Sequence, residues 1–266
     1  MKQIVMFSGG VASAVTAFRV VEKYGAENTV LLFCDTKMED EDLYRFNKDI
    51  ENKLGVLLTV LADGRTPWDV YFDERFLGNS QKDPCSRLLK RKLSLRWVKE
   101  NASPDDSILY LGYYWDEMDR LISSRKRYSP YKVDSALHWR PELAESGARA
   151  FIVSQGIALP RLYKMGFAHN NCGGFCCKAG MGHFRNLLIN MPERYKFHEE
   201  KEQEFRKKFD CDVSMMRQGG KNLTLKDFRE RIELGLVDSF NLGGETGCGC
   251  FSGEDGEEPI DGIDRD

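Results

Sequence analysis

The first half of the chain alternates between short apolar runs and amphipathic stretches. Amphipathic spacing predicts one helix from Val11 to a stop at Gly25 and a second helix over 41–55. Because strands that alternate with helices pair in parallel through right-handed crossovers, we expect an α/β fold. Apolar runs bounded by glycine or polar residues predict four strands, at 4–7, 29–36, 56–63 and 107–113.

From about residue 155 the pattern changes to helices and to loops rich in glycine and cysteine. A long charged helix is predicted over 192–209, and a shorter helix over 224–235 has Thr224 as its N-cap. The last residues are acidic and nearly without apolar groups, which predicts a flexible tail. We therefore predict an α/β domain over 1–150, a helical, cysteine-rich region over 151–252 and an acidic flexible tail over 253–266.

Composition narrows the class of protein. The chain has 266 residues, of which 41% are hydrophobic and 30% charged, so it can bury a substantial core. A net charge of -3 argues against a strongly basic surface for nucleic acid or membrane. The opening MKQIVMF resembles neither a signal peptide nor a membrane span, so we expect a cytoplasmic protein without a membrane partner. Eight cysteines in a reducing compartment favour metal or redox chemistry over structural disulfides.

The junction between the first strand and the first helix reads SGGVAS. Gly9 and Gly10 allow the backbone to approach an oxyanion closely, and the helix N-terminus presents N–H groups with a partial positive charge. Ser8 and Ser13 add hydroxyl groups to the same turn. The junction is therefore a candidate phosphate-binding turn. It matches neither the lysine-containing P-loop nor the dinucleotide-binding glycine motif.

The segment resembles the PP-loop superfamily of nucleotide α-hydrolases, in which S-G-G-x-x-S follows the first strand. Within that superfamily the chain is most similar to the phosphoadenosine phosphosulfate (PAPS) reductase family. CDTKMEDEDLYRF matches the family's second strand and helix start at Asp35 and Thr36. DPCSRLLK matches a cysteine-containing basic segment, and LGYYWDEMDRL matches a strand that ends in glycine and continues into an acidic and arginine-containing stretch.

The resemblance implies a Rossmann-like fold of the PP-loop type and an adenine nucleotide, ATP or PAPS, as ligand. Asp35 would contact Mg²⁺ or ribose hydroxyls. Val11 and Ala12 stand where the family commonly has lysine and aspartate, which counts against ATP cleavage. The implied nucleotide-binding residues are Ser8, Gly9, Gly10, Ser13, Asp35, Thr36, Arg87, Lys90, Gly112 and Arg120.

Cys172 and Cys176 are separated by a glycine-containing loop that can turn both thiolates toward one centre. Thiolate-rich sites select zinc or an iron–sulfur cluster. The family resemblance implies a 4Fe-4S cluster or zinc ion held by Cys85, Cys172 and Cys176. Cys177 or a cysteine of the C-terminal pair would be the fourth ligand, and we assign that position to Cys250.

Cys248 precedes a glycine near the end of the chain and resembles the mobile cysteine with which the family's reductases attack sulfur. In such a reaction, an external thiol reductant would resolve the intermediate. Cys250 makes a C-G-C pair here, and Phe251 replaces the family's histidine, so nucleophile and metal ligand both remain open for this pair. His169 and His183 flank the cysteine loop and could serve as ligands or bases, but a lone histidine is more often a packed or surface residue, and we favour that interpretation.

Three functions follow from these patterns. The first is a PAPS reductase-like enzyme that binds a nucleotide and uses Cys248 as nucleophile. The second is an ATP-dependent sulfurtransferase that adenylylates a small-molecule or nucleic-acid substrate and takes sulfur from a donor through a cysteine-held cluster. The third is a non-catalytic nucleotide-binding subunit of a larger complex.

Overall fold

The computed structural model describes residues 1–237. Its main sheet has five parallel strands in the order β3-β2-β1-β4-β5. These are β1 (Lys2–Phe7), β2 (Thr29–Asp35), β3 (Leu58–Ala62), β4 (Ser107–Tyr110) and β5 (Lys132–Asp134). The predicted α/β class with a parallel sheet is confirmed, and the arrangement is consistent with a Rossmann-like fold. The fourth strand is shorter than predicted, and β5 was not predicted.

The helices that follow the first two strands agree with the amphipathic patterns. In the second helix, Leu43, Phe46 and Ile50 are buried as the pattern predicts. The helices are α1 (Val11–Tyr24), α2 (Glu41–Leu54), α3 (Pro67–Glu74), α4 (Pro84–Ser86), α5 (Leu93–Asn101), α6 (Met118–Arg127) and α7 (Glu145–Ser154). A π-helical segment, Arg87–Lys92, joins α4 to α5.

The C-terminal part of the described chain is mainly helical and carries one short hairpin. Its helices are α8 (Arg161–Lys164), α9 (Met181–Asn190), α10 (Pro192–Phe209) and α11 (Leu225–Glu233), and its hairpin pairs β6 (Met216–Gln218) with β7 (Lys221–Leu223). The charged helix has the bounds that the sequence predicts. Thr224 caps α11, because its hydroxyl accepts a hydrogen bond from the Asp227 amide at 3.0 Å.

Apolar side chains form three clusters. One packs α1, α2 and α7 against one face of the sheet, and a second packs α5 and α6 against the other face. The third lies among the C-terminal helices and includes Trp68, Phe175 and Phe205. Trp68 belongs to α3, so this helix packs with the C-terminal helices although it lies within 1–150.

The order of the strands determines where a ligand would bind. The chain proceeds outward from β1 through β2 to β3, and β4 then pairs with the opposite edge of β1. Ligands of open parallel sheets bind beyond the carboxyl ends of the strands at such a reversal. The SGGVAS turn lies at this position because it follows β1 directly.

None of the helices in residues 1–237 combines the length and the apolar character that crossing a membrane requires.

Candidate functional site

The turn between β1 and α1 is held by its own serine hydroxyls. Ser13 Oγ accepts a hydrogen bond from the Ser8 amide at 3.1 Å and lies 2.9 Å from the Gly10 carbonyl oxygen, to which it donates. Gly9 has φ of 76°, in the left-handed region that glycine adopts without strain. The first turn of α1 contains no acidic residue, so no side-chain carboxylate within it opposes the positive end of the helix dipole.

Gly112 lets the chain beyond β4 pass against the start of α1. A Cβ atom at Gly112 would lie 2.8 Å from the carbonyl carbon of Ala12 and 2.8 Å from the amide nitrogen of Ser13. Both atoms belong to helix backbone, which cannot move aside as a flexible side chain can. Glycine is therefore required where the β4 extension crosses the SGGVAS turn.

A cavity of about 420 Å³ opens at this crossing. Its walls include five of the predicted nucleotide-binding residues, namely Ser8, Gly10, Ser13, Gly112 and Arg120. Aromatic and polar residues from later segments complete the walls, among them Tyr113, Tyr163, His169 and Asn171. The structure thus brings half of the predicted set to one cavity.

Charges of both signs line this cavity. Arg120 forms an ion pair with Glu117, and its guanidinium carbon lies 4.6 Å from the centroid of the Tyr113 ring. Asp116 and Glu145 also line the cavity. The turn and Arg120 would therefore attract an anion, whereas the acidic residues favour hydrogen-bond donors of the same ligand, such as an amino or hydroxyl group.

Asp35 and Thr36 do not line the cavity. Asp35 accepts hydrogen bonds from the Tyr44 hydroxyl at 2.9 Å and from the Lys37 ammonium group at 2.9 Å. Burial alone would raise the pKa of Asp35, but these hydrogen bonds hold its pKa below the usual value. Thr36 donates to Glu39 at 2.9 Å. The predicted Mg²⁺ or ribose contact of Asp35 stays a prediction.

Arg87 and Lys90 also lie outside the walls of the cavity. Both belong to the π-helical segment, yet their surroundings differ. Arg87 is partly exposed and pairs with Glu74 at 2.6 Å. Lys90 is buried, with its Nζ 3.7 Å from Glu39 Oε1 and 3.8 Å from Cys172 Sγ. Their predicted contacts to phosphate or sulfate stay predictions.

The cysteine loop is attached directly to the SGGVAS turn. Asn170 Nδ2 donates to the Gly9 carbonyl oxygen at 3.1 Å, and the Cys172 amide donates to Glu39. Cys172, Gly173 and Gly174 all have positive φ, at 52°, 59° and 79°. The two glycines adopt this conformation readily, whereas it is strained for Cys172.

The thiols within the described residues do not form one compact group. Cys85 Sγ lies 4.0 Å from Cys177 Sγ and accepts a hydrogen bond from the Tyr71 hydroxyl at 3.2 Å. Contact with Cys85 and burial raise the pKa of Cys177. Cys172, in contrast, faces Lys90.

The residues of 1–237 alone do not supply a metal site. In this range, no group of three or more His, Cys, Asp or Glu side chains is arranged so that it could hold a metal ion. A structural zinc ion or an iron–sulfur cluster takes about four protein ligands. The predicted ligand Cys250 and the predicted nucleophile Cys248 lie outside the described residues, so the full ligand set stays a prediction.

Two histidines occupy positions that the sequence analysis did not anticipate. His169, for which we favoured a packed or surface role, lines the cavity, and its Nδ1 has no hydrogen-bond partner among residues 1–237. His198 is fully buried, where it accepts a hydrogen bond from Trp68 Nε1 at 2.9 Å and stacks on Phe175. A single histidine forms no periodic pattern in the sequence. Only the tertiary structure shows that His169 lines the cavity and that His198 is buried in the core.

Together, the fold and the site define an α/β chain with a glycine turn facing a cavity at the reversal of its strand order. Neither a scan against models of known protein families nor a search of curated proteins finds a match to this chain.

Proposed function

We propose that this protein is an enzyme that binds an adenine nucleotide at the SGGVAS turn and carries out cysteine-based sulfur chemistry, namely the reduction of a sulfonucleotide such as PAPS. The observation that carries the proposal is the 3.1 Å hydrogen bond from Asn170 to the Gly9 carbonyl oxygen. It attaches the cysteine loop to the phosphate-binding turn. The contact supports the proposal because it brings the loop of Cys172, Cys176 and Cys177 next to the turn that we propose binds phosphate.

The turn supplies the binding step of this proposal. The Val11 amide donates to the Tyr163 hydroxyl at 3.1 Å, so the N–H groups of Ala12 and Ser13 and the hydroxyl of Ser8 would hold phosphate oxygens. Arg120 adds a cation on the same wall, and arginine suits tetrahedral anions. Tyr113 and Tyr163 give the cavity apolar surface for the remainder of the nucleotide.

The reaction requires a thiolate and a second thiol. The thiolate attacks the sulfonyl sulfur, the bond from sulfur to the bridging oxygen breaks, and the nucleotide leaves with that oxygen and its electron pair. A second thiolate then attacks the cysteine sulfur, so sulfite leaves and a disulfide forms. A thiol reductant restores the enzyme. Cys248 is the proposed nucleophile.

An ATP-dependent sulfurtransferase is the second candidate. The observation that favours it is the approach of Cys85 and Cys177 to 4.0 Å, since two close thiols are the start of a soft ligand set. If a cluster or zinc ion binds, Cys85 and Cys177 would hold it together with ligands from elsewhere in the chain. Acceptors for such an enzyme include a nucleic acid or a small molecule.

Product analysis separates these candidates. Labelled PAPS and ATP are incubated with anaerobically purified protein in the presence of a thiol reductant and a sulfur donor. Sulfite release that is lost in C248S and kept in C211S supports reduction. Pyrophosphate release instead favours adenylylation. Nucleotide binding without either product contradicts an enzyme and favours a binding subunit.

A further inference from the structure

His169, in the wall of the cavity, has a buried ring nitrogen without a hydrogen-bond partner in the part of the chain that the structure describes. His169 lines the cavity together with Ala168 and Asn171. The neighbouring Asn170 donates a hydrogen bond to the Gly9 carbonyl oxygen. The backbone around His169 is therefore fixed against the phosphate-binding turn. His169 Nδ1 is buried and lacks a hydrogen-bond partner in the described chain. The ring nitrogen that a ligand in the cavity can reach is then Nε2.

We infer that His169 contacts the substrate, and that its uncharged imidazole donates a hydrogen bond from Nε2–H to an anionic oxygen of the nucleotide held by the SGGVAS turn. This inference rests on the proposed function, because it requires a nucleotide at that turn. It adds a residue that does not belong to the motifs on which the function was proposed.

The surroundings of His169 determine which nitrogen carries the proton. A neutral imidazole has one N–H donor and one acceptor nitrogen. Buried N–H groups without an acceptor are rarer than buried acceptors without a donor, because the lost hydrogen bond of the donor is costly. A proton on Nδ1 would have no acceptor among the described residues. The proton therefore belongs on Nε2, where an oxyanion in the cavity can accept it.

The imidazole is also kept uncharged. Burial lowers the pKa of His169 to about 3, and the positive charges of Lys90 and Arg120 act in the same direction. The ring is stacked against His183, with centroids 5.4 Å apart, and His183 in turn contacts the Gly174 carbonyl oxygen. Carboxylates also line the cavity, at Asp116, Glu117 and Glu145.

An uncharged hydrogen-bond donor is compatible with the charges that line the cavity. A hydrogen bond from neutral imidazole to an oxyanion stabilises the ligand without placing another cation beside Arg120. It also does not change with pH in the range in which an ordinary histidine titrates. His169 would then orient the nucleotide at every working pH.

Calorimetric titration of PAPS into variants tests this contact. We expect H169A to bind about tenfold more weakly than the wild type, because a hydrogen bond to a charged oxygen is lost. H169Q keeps a donor near the position of Nε2, and we expect its affinity within about threefold of the wild type. H138A is the matched control, because His138 stacks on Trp115 and does not line the cavity.

The outcomes distinguish failure of the His169 contact from failure of the proposed function. Wild-type affinity in H169A overturns the inference and leaves the proposed function intact. Equal weakening in H169A and H169Q also overturns it, because the loss would then come from packing. If the wild type itself binds no PAPS and no ATP, the proposed function fails and the inference fails with it.

Nitrogen NMR of ¹⁵N-histidine-labelled protein gives a readout that does not depend on any substitution. We expect the His169 signals of a neutral Nε2–H tautomer throughout about pH 5 to 8, with a shift of the Nε2–H resonance on addition of PAPS. An Nδ1–H tautomer, an ordinary titration in this range, or no shift when PAPS binds would overturn the assignment.

Discussion

Gly10 and Gly112 both lie beside the start of α1, but they tolerate a side chain differently. A Cβ atom at Gly10 would approach the Tyr163 hydroxyl at 3.3 Å, and that hydroxyl is the end of a flexible side chain. At Gly112 the nearest atoms are helix backbone at 2.8 Å. A methyl group is therefore tolerated at Gly10, whereas at Gly112 it forces the two backbone segments apart.

Substitution of Gly112 by alanine should lower the free energy of unfolding by about 1–3 kcal/mol, the usual cost of overpacking. It should also weaken nucleotide binding, because the added carbon pushes against the α1 backbone at Ala12 and Ser13. Chemical denaturation and calorimetry measure the two effects. G147A is the control, since its Cβ meets only the end of the Leu143 side chain, at 3.2 Å. Equal stability of G112A and wild type would contradict the close approach.

The π-helical segment Arg87–Lys92 carries ion pairs in different environments. The pair of Arg87 with Glu74 is partly exposed, whereas the pair of Lys90 with Glu39 is buried. Loss of one partner of a buried pair leaves an uncompensated charge, whereas exposed pairs contribute little.

We therefore expect K90M to destabilise the protein by about 3–5 kcal/mol, because the Glu39 carboxylate loses the buried ammonium group. R87M should cost less than about 1 kcal/mol. The double variant K90M/E39Q should regain part of the loss, since it removes the carboxylate charge that Lys90 no longer balances. Urea denaturation of the four proteins provides the comparison. A K90M variant no less stable than R87M would show that the buried pair does not support the fold.

Helix α10 places Glu202 in the C-terminal core, where it accepts hydrogen bonds from the amides of Met215 and Leu225. Burial raises its pKa from 4.5 to about 7 despite these hydrogen bonds. The folded protein therefore favours the protonated carboxyl. The resulting stabilisation is complete below about pH 4.5 and is lost as pH rises through about 7.

E202Q should remove this dependence, so the unfolding free energy of the wild type should fall relative to E202Q between about pH 4.5 and 7. E200Q, on the exposed side of the same helix, should keep the wild-type dependence. Thermal or urea unfolding at a series of pH values measures the difference. A constant difference between wild type and E202Q would show that Glu202 ionises alike in both states.

Across the whole molecule, patterns within single segments predicted the architecture better than they predicted the site. The buried residues of β1, β2 and α2 can be recognised within each segment. Buried parallel strands are continuous apolar runs, and amphipathic helices repeat apolar residues at a regular spacing. Strand β5 has only three residues, Lys132–Asp134, too few to show such a pattern.

The candidate site depends on contacts between distant segments. The turn was recognisable because Ser8, Gly9, Gly10 and Ser13 lie within six consecutive residues. The burial of Lys90 against Glu39 and the position of His169 in the cavity wall join residues far apart in the chain. No local periodicity encodes such contacts, and they were not predicted.

The most direct test of the account is calorimetric titration of PAPS, and of ATP, into the wild type and G10A. We expect saturable binding of at least one nucleotide to the wild type, and binding at least about tenfold weaker in G10A, because its methyl group lies where Gly10 lines the cavity. The unfolding free energy of G10A should stay within about 1 kcal/mol of wild type. Absence of nucleotide binding to the wild type, or equal affinity in G10A, would contradict nucleotide binding at the SGGVAS turn.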